Sequence, residues 1–141
     1  MGPAPLLLHA SCVAAEGRGL LILGPSGAGK SGLALSLMAL GARLVADDQV
    51  LLTRRDDALV ATCPPALAGL IEARRVGLLR ADPLPEATVH LAVDLGQTET
   101  ERLPQHHSIV FLKKRIDLVR GPHCAHLPAA LLQYLRGGRA A

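Results

Sequence analysis

Gly24-Pro25-Ser26-Gly27-Ala28-Gly29-Lys30-Ser31 fits the pattern G-x-x-x-x-G-K-[S/T] at every fixed position. Glycines allow the backbone to fold tightly around an anion without Cβ clashes, so that successive N–H groups converge on phosphate oxygens. Lys30 adds a point charge for the β and γ phosphates, and the Ser31 hydroxyl is a ligand for Mg²⁺. The flanks agree with this reading. Leu20-Leu21-Ile22-Leu23 is an apolar run bounded by glycine and reads as a buried strand. From Lys30 to Leu40, Leu33, Ala34, Leu37 and Met38 recur at helical spacing, and Gly41 closes that helix. Strand, glycine loop and helix N-terminus together predict a phosphate-binding loop (P-loop) for a nucleoside triphosphate, ATP with Mg²⁺.

Outward from the loop, Ser11–Ala15 reads as a strand forming a hairpin with Leu20–Leu23 across Gly17 and Gly19. Leu44-Val45-Ala46 is a further short strand ending at Asp47-Asp48. Val50–Thr53 and Leu59–Thr62 flank a second turn, and Leu67–Ile71 and Val76–Leu79 flank a charged segment. Thr88–Leu95 alternates as a strand does. Gly96–His107 is polar and reads as an exposed, mobile loop. Ser108–Leu112 and Ile116–Val119 are predicted strands, and Leu127–Leu135 a closing helix ended by Gly137-Gly138. The expected fold is α/β with a mixed sheet and few helices. At 141 residues the chain has room for one domain with a core.

Composition narrows the function classes. Net charge is +3, from 15 Lys and Arg against 12 Asp and Glu, and the basic residues occur in short scattered runs. With one Phe, one Tyr and no Trp there is no stacking platform for bases, so nucleic acid is not an expected partner. No apolar stretch approaches the roughly 18 residues of a membrane span. Cys12, Cys63 and Cys124 are distant from one another and form no metal or disulfide pattern. His106-His107 and the pair His123 and His126 lack the spacing and companions of a zinc site. A cytoplasmic protein is the expectation.

Asp47-Asp48 at a strand end places carboxylates where they can hold Mg²⁺ through water or take a proton, although an Asp pair also makes an ordinary turn or cap. The stretch His9 to Val50 resembles the catalytic domain of HPr kinase/phosphorylase. That resemblance rests on His9 fifteen residues before Gly24, on the loop itself, and on Gly41-Ala42-Arg43-Leu44-Val45-Ala46-Asp47-Asp48. Glu72-Ala73-Arg74-Arg75-Val76-Gly77 is similar to the family signature E-x-R-G-x-G, with Arg75 where the family has glycine. Glu101-Arg102-Leu103 looks like the acidic-Arg-Leu segment of the family's mobile catalytic loop. After Leu103 the family's phosphorolysis-associated segment is not recognisable.

The resemblance implies a core like that of phosphoenolpyruvate carboxykinase, and a homo-oligomer, a hexamer. It also implies a kinase acting on a serine of the phosphocarrier protein HPr, with phosphorolysis of the phosphoserine as the reverse reaction. One of Asp47 and Asp48 would be the base and the other would organise Mg²⁺; the sequence does not divide the roles. Glu72 would ligate metal, Arg102 would contact the transferring phosphoryl group, Arg74 would position phosphate or pair with Glu72, and His9 would orient or tune the aspartate. The blocks of resemblance cover roughly the first three quarters of the chain, and the expectation is a single catalytic domain over 1–141 without a separate N-terminal domain. Two other readings remain open at this point: a small-molecule P-loop kinase, which needs an arginine-rich lid, and a non-catalytic ATP sensor, which needs no base.

Overall fold

A computed structural model describes residues 3–121 and 124–141; His123 lies outside them. In chain order the elements are β1 (Leu6–Leu8), β2 (Ser11–Ala15), β3 (Arg18–Leu23), α1 (Lys30–Ala39), β4 (Arg43–Ala46), β5 (Val50–Arg55) and β6 (Ala58–Thr62). A single 3-10 turn, Pro65–Leu67, leads to β7 (Leu70–Ala73), β8 (Gly77–Arg80), β9 (Glu86–Asp94), β10 (His107–Phe111), β11 (Lys114–Arg120) and α2 (Leu127–Gly137).

Nine strands form one mixed sheet in the order β1-β5-β6-β9-β3-β2-β4, and β11, paired with β10, also joins β9. β7 and β8 form a separate hairpin. The hairpin between β2 and β3 turns at Glu16 and Gly17, both at positive φ, which matches the right-handed twist of the paired strands. Gly19 is required by close approach: a Cβ there would lie 3.0 Å from the carbonyl oxygen of Thr88 on β9.

The alternation of side chains explains the layers. Leu20 and Ile22 of β3 face α1 and α2, where Leu33, Leu37, Leu131 and Leu135 close one core. Leu21 faces the opposite way, into a second core with Cys12, Leu52, Leu59 and Ala92. Full burial of each such leucine or isoleucine contributes about 1.5–3 kcal/mol. β9 serves both cores by the same alternation, with Leu91 and Val93 in the first and Ala92 in the second, and its register slips by one residue against Gly19 and Leu20, which pair with Val89 and Leu91 and leave His90 as a bulge. Val89 therefore belongs to the second core and Leu91 to the first.

The same pairing decides where the site can be. β9 and β11 run parallel to β3, and β2 is antiparallel to both β3 and β4, so β4 is parallel to β3 as well. The C-terminal ends of β3, β4, β9 and β11 share one rim. The glycine loop leaves β3 there, and Asp47-Asp48 leaves β4 beside it. Helix α1 ends as expected at Gly41 (φ +108°), with Gly41 N–H donating to the Met38 carbonyl and Ala42 N–H to that of Leu37.

Two local expectations change. Leu6–Leu8, an unassigned apolar run in the sequence, is an edge strand, because Val50–Leu52 far along the chain offers it a ladder. Leu112 is a turn residue and not the end of a strand: it and Lys113 take φ +50° and +65° between the paired Phe111 and Lys114.

Candidate functional site

The loop from Gly24 to Ser31 holds its shape through its own backbone. Gly24, Gly27 and Gly29 take φ of +143°, +86° and +99°, a region that costs an L-residue about 1–2 kcal/mol. Ala28 N–H donates to the Pro25 carbonyl at 3.0 Å. Lys30 is buried, and its Nζ donates to the carbonyls of Gly24 (2.7 Å) and Pro25 (3.0 Å), so the cation lies inside the curve of the loop. Helix α1 starts at Lys30 with no side chain capping its first N–H groups. An uncapped helix start with a buried lysine beside it is a favourable place for an anion.

The two aspartates have different surroundings. Asp47 is buried. Its Oδ1 accepts from the Ser31 hydroxyl and from the Ser11 hydroxyl, both at 2.7 Å, and its Oδ2 accepts from the Glu72 N–H at 3.0 Å. Asp48 has 61% of its side chain exposed and lies 3.3 Å from Nδ1 of His9. Its backbone is at φ +70°, with Gln49 N–H donating back to the Asp47 carbonyl at 2.8 Å. This tight three-residue turn points the neighbouring carboxylates in opposite senses, one inward and one into the cleft. Burial, and after it the charge of Asp47, push the Cys63 thiol above its ordinary pKa.

A cleft of about 430 Å³ runs along the loop and is lined by Ser26, Lys30 and Ser31 together with His9, Asp48 and Glu72. It adjoins a second cavity of about 660 Å³ under the β7–β8 hairpin, where Asp48, Glu72 and Arg74 are joined by Leu70, Val76 and Leu78. In that hairpin Arg75 holds φ +70° and Val76 N–H donates to the Ala73 carbonyl at 2.9 Å. The left-handed turn that glycine would favour is kept with arginine in its place.

The structure thus brings His9, Lys30, Ser31, Asp47, Asp48, Glu72 and Arg74 to one corner. It does not bring Arg102 there. Arg102 is exposed and lines a different cavity of about 280 Å³ with Arg120 and Arg139. Its loop is tied down: Arg139 donates to the carbonyls of Pro104 and Gln105, and His107 Nε2 lies 3.2 Å from Glu99. The Glu101 N–H, first among several contacts, holds the Glu99 carboxyl below its usual range.

Two residues, Ser11 in this corner and Asp94 on the other side of β3, were not singled out from the sequence. Ser11 is fully buried on β2 and anchors Asp47; its signal is a hydroxyl inside the apolar strand Ser11-Cys12-Val13-Ala14-Ala15. Asp94 ends β9 beside Leu23, and its carboxylate accepts from Gly96 N–H and the Gln97 amide. That fixes Gly96 against the loop, where a Cβ would lie 3.0 Å from Pro25.

Among the described residues no three His, Cys, Asp or Glu side chains are arranged to hold a metal on their own. The hydroxyl of Ser31 and the carboxylates of Asp47 and Glu72 nevertheless fit a hard cation bound largely through substrate phosphates and water. No described helix is long and apolar enough to cross a membrane.

The family model for the HPr Serine kinase C-terminal domain matches residues 4–106. HPr kinase/phosphorylase of Clostridium novyi (strain NT) is 37% identical over 102 residues, which are 67% of this chain and 33% of that protein. HPr kinase/phosphorylase of Aromatoleum aromaticum is 40% identical over 112 residues, 70% of this chain and 36% of that one. The chain therefore spans about a third of the length of these relatives. The solved structure of the Hpr(Ser) kinase/phosphatase from Coxiella burnetii superposes with a TM-score of 0.79 at 24% identity, covering 93% of this chain and 94% of that one, which supports the fold.

Proposed function

The chain belongs to the HPr serine kinase C-terminal-domain family, and on that premise we propose that it transfers the γ-phosphoryl group of Mg-ATP to a serine of an HPr-type phosphocarrier protein. The observation that carries the reading is the division between the two aspartates, which a site for binding alone does not need.

Phosphoryl transfer requires alignment, charge neutralisation and removal of the acceptor proton. Residues Gly24–Ser31 act as a P-loop and fix the phosphates through N–H groups and Lys30. In this reading Lys30 exchanges its carbonyl partners for phosphate oxygens. Asp47, buried and fully hydrogen-bonded, holds the Ser31 hydroxyl in place and supports the metal together with Glu72. When bound, Mg²⁺ neutralises charge on the β and γ phosphates. Asp48, open to the cleft, takes the serine proton, and His9 orients it. A positioned base of this kind contributes about 10²–10⁴ in rate. Arg74, at the junction of the two cavities, faces the acceptor side. Arg102 reaches the phosphoryl group only if the ties of its loop to Arg139 and His107 are released. In the reverse direction Asp48 returns the proton while inorganic phosphate attacks phosphoserine, giving pyrophosphate.

The remaining parts of the proposal are a core of the phosphoenolpyruvate-carboxykinase type, one catalytic domain over 1–141, a homo-oligomer and a cytoplasmic location. The test is incubation of the protein with ATP, Mg²⁺ and HPr, then a chase with phosphate, followed by mass spectrometry and a pyrophosphate assay. The reading predicts phosphoserine on HPr that disappears with release of pyrophosphate. Label found only on a metabolite would replace it with a small-molecule kinase, and nucleotide binding without turnover would replace it with a sensor.

A further inference from the structure

A second group of cations lies away from the acid corner. Arg102 in the loop after β9, Arg120 at the end of β11 and Arg139 after α2 line one cavity of about 280 Å³. That cavity shares no lining residue with the two cavities at the corner. Among the described residues none of the three arginines pairs with an Asp or Glu side chain. Arg139 gives its donors to the main-chain oxygens of Pro104, Gln105 and Ala141. Arg120 is the sharper case: its Nε is buried and has no hydrogen-bond partner among the described residues. Asp94, which faces Arg120 in the β9–β11 register, gives its carboxylate to Gly96 N–H and the Gln97 amide instead. The two acids that line the cavity do not answer the need either. Glu99 is held by His107 and by the N–H groups of Thr100 and Glu101, and Glu101 is exposed. Buried N–H groups are nearly always satisfied, so a guanidinium N–H left over beside a cavity calls for an acceptor from outside the chain.

We propose that this cavity is a separate site for a small oxyanion, a phosphate or carboxylate group on a short carbon skeleton. Guanidinium groups present paired N–H donors that match either head. Leu118 and Val119 of β11 supply an apolar wall for the carbon chain. The volume lies just below the roughly 300–1,000 Å³ of sites for drug-sized ligands, so the occupant is small. Arg120 and Arg139 lie beyond residue 106, where the family match ends, and the site does not depend on the phosphate-loop reading.

The test follows the arginine Nε–H resonances of the full chain carrying Lys30→Ala, which removes the cation of the glycine loop, during titration with orthophosphate and with succinate. The Arg120 resonance is the one missing from the same chain with Arg120→Lys added. It should move saturably with at least one probe, and calorimetry should show the affinity for that probe lowered about tenfold or more by Arg120→Lys. A response to orthophosphate alone assigns a phosphate head, a response to succinate alone a carboxylate head, and a response to both a site for either. Movement with neither probe, drift without saturation as an ion gives on any basic surface, or unchanged affinity in Arg120→Lys would overturn the site. If Arg120→Lys does not fold, Arg102→Gln, on the exposed wall, carries the affinity comparison, and unchanged affinity there would overturn the site equally.

Discussion

The rim that carries the chemistry and the sheet directly beneath it follow opposite rules. On the rim Gly24, Gly27, Gly29, Asp48 and Arg75 all stand at positive φ, Asp47 is buried against Ser11, and Lys30 is buried against the loop carbonyls. Beneath it β2 and β3 pair with each other in unbroken register, and their interior side chains are apolar except for Ser11, which serves the rim. Left-handed residues cost about 1–3 kcal/mol each and persist only where neighbours over-determine them. Here the neighbours are a helix and four strand ends anchored in two apolar cores. On the rim one such residue, Asp48, sits where two adjacent carboxylates point in different directions, while Glu16, Leu112 and Lys113 take positive φ in hairpin turns.

That contrast can be broken in both regions. The largest effect belongs to Asp48→Asn, which should lower kcat by about 10²–10⁴ while ATP affinity and melting temperature stay near those of the unmodified protein. Asp47→Asn should instead lower the melting temperature and weaken Mg-ATP binding, since it perturbs the acceptor of three hydrogen bonds in a buried place. Equal profiles for the two variants, by steady-state kinetics and calorimetry, would remove the division of roles.

An intermediate effect comes from the interior. Burial pushes the Cys12 thiol from 9.0 up to about 12. The folded state therefore keeps the proton through a range in which the unfolded chain releases it. Its contribution to stability is fully present below pH 9.0 and is lost as pH rises toward about 12. Denaturant melts should show this alkaline loss reduced in Cys12→Ala, and Cys12 should resist alkylation at pH 8 until the protein unfolds. Rapid labelling of Cys12 in the folded protein would show that the interior is open.

The smallest effect is on the rim. Arg75→Gly should raise stability by about 0.5–1 kcal/mol in denaturant titration, because relief of the left-handed arginine exceeds the added freedom of the unfolded chain. Destabilisation would mean that the arginine side chain supports the hairpin.

Legibility from sequence follows the range of the interactions. The glycine loop, its strand and its helix were readable because each is specified within about twenty consecutive residues. The β2–β3 hairpin and the Gly41 helix end were readable for the same reason. Ser11 as the anchor of Asp47 was not, since the partners are thirty-six positions apart and meet only through the β2–β4 pairing. β1 was missed because three residues carry too little periodicity to register. The division between Asp47 and Asp48 depends on one φ angle that the sequence does not state. Arg102 was assigned by resemblance alone, and its place in this structure depends on contacts with Arg139 and His107, in a region beyond the family match.

The most direct test of the account is a crystal structure of the full chain with Mg²⁺ and a non-hydrolysable ATP analogue. It should show the triphosphate wrapped by the N–H groups of residues 24–31, Ser31 on the metal, and the γ-phosphate facing Asp48. A loop left empty, or a γ-phosphate directed away from Asp48, would contradict it.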